Sequence, residues 1–472
     1  MLIKRLRKSS SDITFWIVIF FLVRLFGITN PPLEKSHNWR QSTVAMVARN
    51  FVEVDANIFY PRIDIAGDRS GITGMEFPVF NYLIYLLSKV FGYDHWYGRL
   101  INLFVTSIGL VFFYRLLGRR FDERIAFYST WVLLFSIWFS FSRKIMPDTF
   151  SMSLMIVGLY YLDRFLLTHR FQTAPLIVTF FLIALATLSK IPSAYILILV
   201  IPILFDKSIR QGRKLGVLLA VSVVGILAMA WYFLWVPHLN NTYGFEHFFM
   251  GKNLSLGSSE ILDQSGEVLS MFYEKAIKYV AFVLFLLGLY RIVTNRQNVL
   301  KTVFLFGLCG FILFMFSAGE SFVKHDYYII PFVPLMSLVA GYGLASISSR
   351  RLVMIFLLSI AVEGVLNQYH DVLIDEKSLL LLELEEDLNA FSDRDDLVLI
   401  NSGEYPTPMY FASRKGWILT NDEIVEDEIF TELQKRGLKY VVILRQVFGS
   451  DLELDLPVVL NKEVYVIYAS SY

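Results

Sequence analysis

Read for the spacing of apolar positions, the chain alternates long unbroken apolar runs with short polar connections. Eleven runs stand out, near 13–29, 98–117, 125–142, 149–166, 173–189, 191–205, 215–237, 276–290, 302–318, 327–348 and 352–368. Runs of this length with few charges predict membrane-spanning helices rather than buried core helices. Two are weaker: Lys278 sits in the first turn of the 276–290 run, and 191–205 is short for a bilayer. The piece VFNYLIYLLSKVFGY (79–93) is too short to span and too apolar to be solvated, which predicts a helix along the membrane interface. Before it, Val44, Val47, Ala48 and Phe51 fall on one helical face and predict a second interfacial helix. From residue 378 the texture changes. Strand-like LVLINSG, KYVVILR and VYVIYA alternate with helical LLLLELEEDLNAF and a polar helix at 423–436, predicting a small α/β domain. The fold class expected is therefore a polytopic α-helical membrane protein of eleven spans with a small C-terminal α/β domain outside the membrane. Its domains are 1–370, carrying a long juxtamembrane outer loop at 30–97, and 371–472.

Composition sharpens this picture. The 472 residues are 55% hydrophobic, 16% aromatic and only 18% charged, unlike a soluble enzyme. The net charge of +1 says nothing about partners, and no basic patch points to nucleic acid. A single cysteine, Cys309, excludes both a disulfide framework and a cysteine zinc site. The basic start MLIKRLRKSS leads into the first run with no small-residue cleavage site, so an uncleaved first span is expected. Orientation follows from Lys and Arg in the short connections. With the N-terminus inside, the inner face receives nineteen: Lys4, Arg5, Arg7, Lys8, Arg115, Arg119, Arg120, Arg124, Arg164, Arg170, Lys207, Arg210, Arg213, Lys214, Arg291, Arg296, Lys301, Arg350 and Arg351. The short outer loops receive four: Arg143, Lys144, Lys190 and Lys324. Eleven spans then put the C-terminus outside, on the same face as the 30–97 and 238–275 loops.

The residues able to carry chemistry crowd that outer face. Glu76 opens the interfacial piece at headgroup depth, where partial desolvation would favour a general base; the structural alternative is a helix N-terminal charge. Asp148, in RKIMPDTFS, reads both as an N-cap for the following span and as a second carboxylate, with Arg143 and Lys144 beside it for a phosphate. His37, Trp39 and Arg40 lie in SHNWRQ, a dense polar cluster with an aromatic of the kind sugars bind. Lys324, His325 and Tyr328 precede a span containing Pro331 and Pro334, and Lys324 either anchors a helix end or meets a lipid phosphate as a mobile point charge. Lys190, in SKIPSA, is a weaker phosphate candidate. The intramembrane charges Arg24 and Glu363 read as snorkelling or paired. No metal-ligand spacing occurs; His37, Glu76 and Asp148 could meet a divalent ion, but neither metal nor cofactor is expected.

Four stretches, taken in order, resemble a known family: WRQSTVAMVARNF, EFPVFNYLIYLLSKVFG, MPDTFSMSLMIVGLYYL and KHDYYIIPFVPLMSLVAGYGL. They are similar to GT-C membrane glycosyltransferases, in the bacterial branch near protein O-mannosyltransferases and the aminoarabinose transferase of lipid A. The resemblance implies inverting transfer of a sugar from a polyprenyl-phosphate donor to a lipid, glycan or protein acceptor on the periplasmic side of a bacterial inner membrane. It implies a base for the acceptor hydroxyl, cations for the phosphate, and a groove open to bilayer lipids. Where relatives carry an acidic residue just before the arginine that Arg40 matches, this chain has His37 and Asn38. Glu76 is then the expected base, Asp148 its partner and His37 the reserve, with Arg40, Lys324 and Arg143 on the phosphate. The rival readings are a transporter or lipid flippase and a membrane scaffold; polar candidates crowded on one face favour the enzyme.

Overall fold

A computed structural model describes residues 12–167, 172–247, 251–295 and 298–470. The basic residues Lys4, Arg5, Arg7, Lys8, Arg170 and Arg296 lie outside them. The chain divides into two compact units, one of Met1–Ile28, Arg99–Phe233 and Phe249–Tyr369, the other of Thr29–Gly98, Leu234–Phe248 and His370–Tyr472. The long 29–98 segment thus groups with the C-terminal tail.

The first unit is helical. Among the described residues, six helical stretches are long and apolar enough to cross a membrane: Trp96–Arg120, Pro147–Leu167, Gln211–Tyr243, Asn298–Ala318, Asp326–Ala345 and Arg350–Val372. A seventh crossing forms if Ser265–Ala276 and Lys278–Thr294, bent by 105°, count as one. The bend falls where the sequence is weakest, with Lys278 at φ 65. Ile13–Arg24, Ala174–Ser189 and Ile191–Phe205 are shorter apolar helices. The run near 125–142 is interrupted: Glu123–Phe135 ends at an extended Ser136, and Trp138–Phe141 follows as a single turn. Gln368 satisfies that break. Its amide donates to the carbonyls of Ser136 (3.0 Å) and Gly364 (2.7 Å), and its carbonyl accepts from Ser140 N–H (3.0 Å). Helix Val333–Ala345 is buried on nearly every side because small residues let its neighbours close in. A Cβ on Gly343 would lie 2.2 Å from the Leu284 carbonyl, and one on Gly341 2.2 Å from Ser129 Oγ.

The second unit is a layered α/β body. Its five-stranded sheet runs in the order β2-β1-β3-β5-β4, from β1 (Leu397–Ile400), β2 (Gly416–Ile418), β3 (Leu438–Leu444), β4 (Val458–Asn461) and β5 (Tyr465–Ala469). β2, β1 and β3 are parallel; β5 pairs antiparallel with both β3 and β4. Alternation along the strands gives the sheet two apolar faces. Leu399, Val441 and Ile443 pack with Ile424 and Leu433 of two short helices, Asn421–Ile424 and Asp427–Lys435, which replace the single helix expected at 423–436. Val398, Ile400, Val442 and Leu444 share a core with Ala45, Met46, Val47 and Phe51.

Those last residues belong to helix Asn38–Glu53, which corrects one expectation. This helix does not lie at an interface: every residue from Arg40 to Phe51 is buried within the unit. The apolar face read from the sequence covers the sheet. Its polar residues are buried too, and Arg49 is met on several sides. Arg49 donates to Asp64 (2.7 Å), to the Tyr410 carbonyl (2.8 Å) and to Ser413 Oγ (2.6 Å). Burial opposes the Arg49 charge, but Asp64, followed by Tyr410 and Tyr93, outweighs it and raises the guanidinium pKa. Helix Val79–Phe91 turns Phe80, Asn81, Ile84 and Ser88 inward and leaves Leu86, Val90 and Phe91 exposed, the two-faced character that its sequence predicts.

Candidate functional site

In the first unit, Asp148 and Lys190 come together. Helix Pro147–Leu167 begins one residue before Asp148, so this carboxylate stands in the first turn rather than capping the helix from outside. The turn that presents it is tied down by Asn102. Its amide donates to the carbonyls of Phe141 (2.9 Å), Lys144 (2.9 Å) and Met146 (3.2 Å), and its carbonyl accepts from Thr149 Oγ1 (2.9 Å). Lys190 sits where helix Ala174–Ser189 stops. Pro192 has no N–H to continue the ladder, and the chain restarts as a 3-10 helix, Ile191–Leu199. The Lys190 ammonium is 3.6 Å from Asp148 Oδ1 and 5.1 Å from the centre of the Tyr327 ring. Both partners are buried. A buried ion pair is poor evidence of stability, because desolvation offsets most of its attraction; in a membrane helix it marks a site where a charge is used.

Other residues singled out from sequence are placed differently. Arg143 is buried and donates to the Phe26 carbonyl. Lys324 is mostly exposed and lies 2.7 Å from Glu320. His325 stacks on Tyr327 with ring centres 5.2 Å apart, and Tyr328 lies beside both. Arg24 donates to the Ser140 carbonyl and lies over the Phe139 ring, a structural role.

A cavity of about 740 Å³ in the same unit has walls made chiefly of Leu, Ile, Val and Phe side chains. Its polar lining, including Arg120, Asp163 and Asp206, falls at helix ends, while Met152 and Tyr195 lie toward the opposite ends of their helices. From Met152 to Leu167 the lining follows one helix for about 22 Å at 1.5 Å per residue. Met152 is one helical turn from Asp148, and Tyr195 is on the 3-10 helix that Lys190 precedes as its N-cap. The buried ion pair therefore lies within about a turn or two, along two helices, of residues that line an apolar cavity.

The second unit holds Arg40 and Glu76 in direct contact, both side chains almost fully buried. His37, the N-cap of helix Asn38–Glu53, is held at φ 64, and Trp39 follows it in the first turn. Two residues escape a reading of the sequence. Glu34 is 1% exposed and accepts from Gln41 (3.2 Å), which places a buried carboxylate just upstream of His37. His247 lies within the electrostatic reach of both Arg40 and Glu76. Burial, then the Arg40 charge, push its imidazole down to about 4, with Glu76 pulling the other way. A neutral imidazole keeps a ring nitrogen able to accept a proton. No local pattern marks His247; only the contact of its segment with Thr73 and Gly74 brings it here, through Thr73 Oγ1 to the Phe245 carbonyl (3.2 Å) and Gly74 N–H to Asn240 (2.8 Å).

The chain combines an apolar helical unit with an α/β unit, each holding buried charged side chains, and this architecture is similar to that of known membrane proteins. Residues 75–235 match the family model described as dolichyl-phosphate-mannose-protein mannosyltransferase. The fold is similar to that of ArnT from Cupriavidus metallidurans, seen in an apo state and bound to undecaprenyl phosphate. Each ArnT structure is 13% identical, with a TM-score of 0.61, covering 97% of this chain and 98% of that one. It is also similar to the oligosaccharyltransferase AglB from Archaeoglobus fulgidus, solved with an inhibitory peptide and a dolichol-phosphate. That likeness has 12% identity and a TM-score of 0.54, and covers 91% of this chain and 69% of that one. Compared by sequence with curated proteins, the chain matches none. The chain is a multi-pass membrane protein whose fold is similar to that of ArnT and AglB.

Proposed function

We propose that this protein is a glycosyltransferase of GT-C type, moving a sugar from a polyprenyl-phosphate donor to an acceptor hydroxyl outside the cytoplasm, in a bacterial inner membrane. The observation that carries the reading is the buried Asp148–Lys190 pair close to residues that line the apolar cavity. Lys190 can exchange Asp148 for a lipid phosphate, and the cavity takes the chain behind it. ArnT with undecaprenyl phosphate and AglB with dolichol-phosphate support a lipid phosphate as the donor's carrier. The excess of Lys and Arg in the connections assigned to the inner face supports an outer active face, with the N-terminus inside.

The reaction is an inverting displacement. The acceptor oxygen bonds to the anomeric carbon as the bond from that carbon to the phosphate oxygen breaks, and the polyprenyl phosphate leaves with its electron pair. The acceptor proton passes to a base, which this displacement requires. Tyr328, His325 and Lys324, in the same unit as Lys190, flank the donor phosphate.

Undecaprenyl phosphate binding to the purified protein tests the donor half. Lys190→Met is expected to weaken it at least tenfold with melting temperature little changed, and wild-type affinity in that variant would remove Lys190 from the role. Mass spectrometry of envelope glycolipids and glycoproteins, with and without the gene, identifies the acceptor.

A further inference from the structure

Tyr195 lines the apolar cavity, and its hydroxyl oxygen is buried with no hydrogen-bond partner among the described residues. The ring is well seated, with centres 5.6 Å from Phe311 and 6.3 Å from Phe332, and the residue is 8% exposed. A buried hydroxyl left without a partner is costly, and a phenylalanine would make the same ring contacts at no such cost. Packing therefore explains the ring but not the oxygen. Tyr195 lies on the 3-10 helix that begins at Ile191, directly after Lys190.

We infer that the Tyr195 hydroxyl is a positioning group for the oxygen-bearing end of the lipid in the cavity. It donates a hydrogen bond to the phosphoester oxygen that joins the isoprenoid chain to its phosphate. The inference rests on the polyprenyl-phosphate reading above and adds a second contact to it. Lys190 meets the phosphate as a charge, whatever carries that phosphate. Tyr195 meets the one neutral oxygen where the chain begins, and so separates a phosphorylated isoprenoid from a chain of equal length ending in carbon. The hydroxyl also sets the depth of the chain: an ester oxygen held at Tyr195 leaves the next isoprene units among Met152, Ile156 and Leu159, which line the cavity.

The test is Tyr195→Phe in the full-length detergent-purified protein, with undecaprenyl phosphate as the probe. A role in ligand binding predicts two shifts in opposite directions. The ligand-free variant should melt at or above the wild-type temperature, because an unpartnered hydroxyl is gone, while undecaprenyl phosphate should bind roughly 3- to 10-fold more weakly. In transfer assays the loss should appear in KM for the lipid donor, with kcat nearly unchanged. A hydroxyl serving only the fold predicts the reverse, a lower melting temperature with affinity intact, and that result would overturn the assignment. Equal binding by variant and wild type with unchanged melting would also overturn it. If the wild-type protein does not bind undecaprenyl phosphate at all, the donor reading fails and takes the Tyr195 assignment with it. That failure is distinct from one in which wild type binds and Tyr195→Phe binds equally well.

Discussion

Glu76 and Asp148 carry the same local signature, a carboxylate within two residues of a proline at the start of an apolar helix. Their environments differ, because each is set by a residue far away in the chain. Glu76 meets Arg40, and Asp148 meets Lys190. The sequence ranks Lys190 low because a lone lysine at a turn has many harmless uses; the pairing is what raises it. His247 and Glu34 are invisible for a related reason, since no spacing rule connects them to Arg40. His247 has a measurable consequence. Its folded pKa, about 4, lies below the ordinary 6.5, so between those values the unfolded chain binds a proton that the folded chain does not. Stability should therefore fall as pH drops from 6.5 toward 4 and gain nothing from this group above 6.5. Comparing unfolding of wild type and His247→Gln over this range should show a smaller acid loss in the variant. Parallel curves would place the imidazole in an ordinary, solvated setting.

Among the elements, helix Lys278–Thr294 shows how a membrane protein handles a broken span. Lys278 and the 105° bend leave backbone N–H groups without intrahelical partners. Glu363 supplies the acceptors, taking Tyr279 N–H at 3.2 Å and Val280 N–H at 3.0 Å. From the sequence Glu363 reads only as an intramembrane charge in need of a partner; the structure makes it a cap. Glu363→Ala should cost about 1–2 kcal/mol, the usual worth of a lost helix cap. Glu363→Gln, which keeps a carbonyl acceptor, should recover part of it, as thermal unfolding in detergent can measure. Helix Asn38–Glu53 teaches the complementary lesson. Its apolar stripe is legible, but a stripe does not say whether lipid or a sheet covers it. Its buried polar side chains, Arg49 above all, tolerate the interior only because Asp64, Tyr410 and Ser413 meet them.

At the level of the whole molecule, that helix changes what the tail is. Residues 371–472 read as a separate appendage, yet one face of their sheet shares a core with Met46, Val47 and Phe51. Removing the tail after residue 370 would strip cover from this apolar face. Such a truncation should aggregate on size-exclusion chromatography in detergent rather than leave a well-behaved donor-binding remnant. A monodisperse product at wild-type yield would show that the loop folds without the sheet.

The sequence by itself determined the class of environment and the broad architecture. Long apolar runs have few alternatives to the bilayer, and alternation of β-branched and helical segments after residue 378 has few alternatives to an α/β layer. Both are properties of neighbouring residues, so local pattern carries them. Tertiary structure alone decided which charges meet, which hydroxyl lines the cavity, and which surface covers helix Asn38–Glu53. Those outcomes depend on contacts between residues tens or hundreds of positions apart, where burial makes an unpaired charge or hydroxyl costly and no periodicity announces its partner.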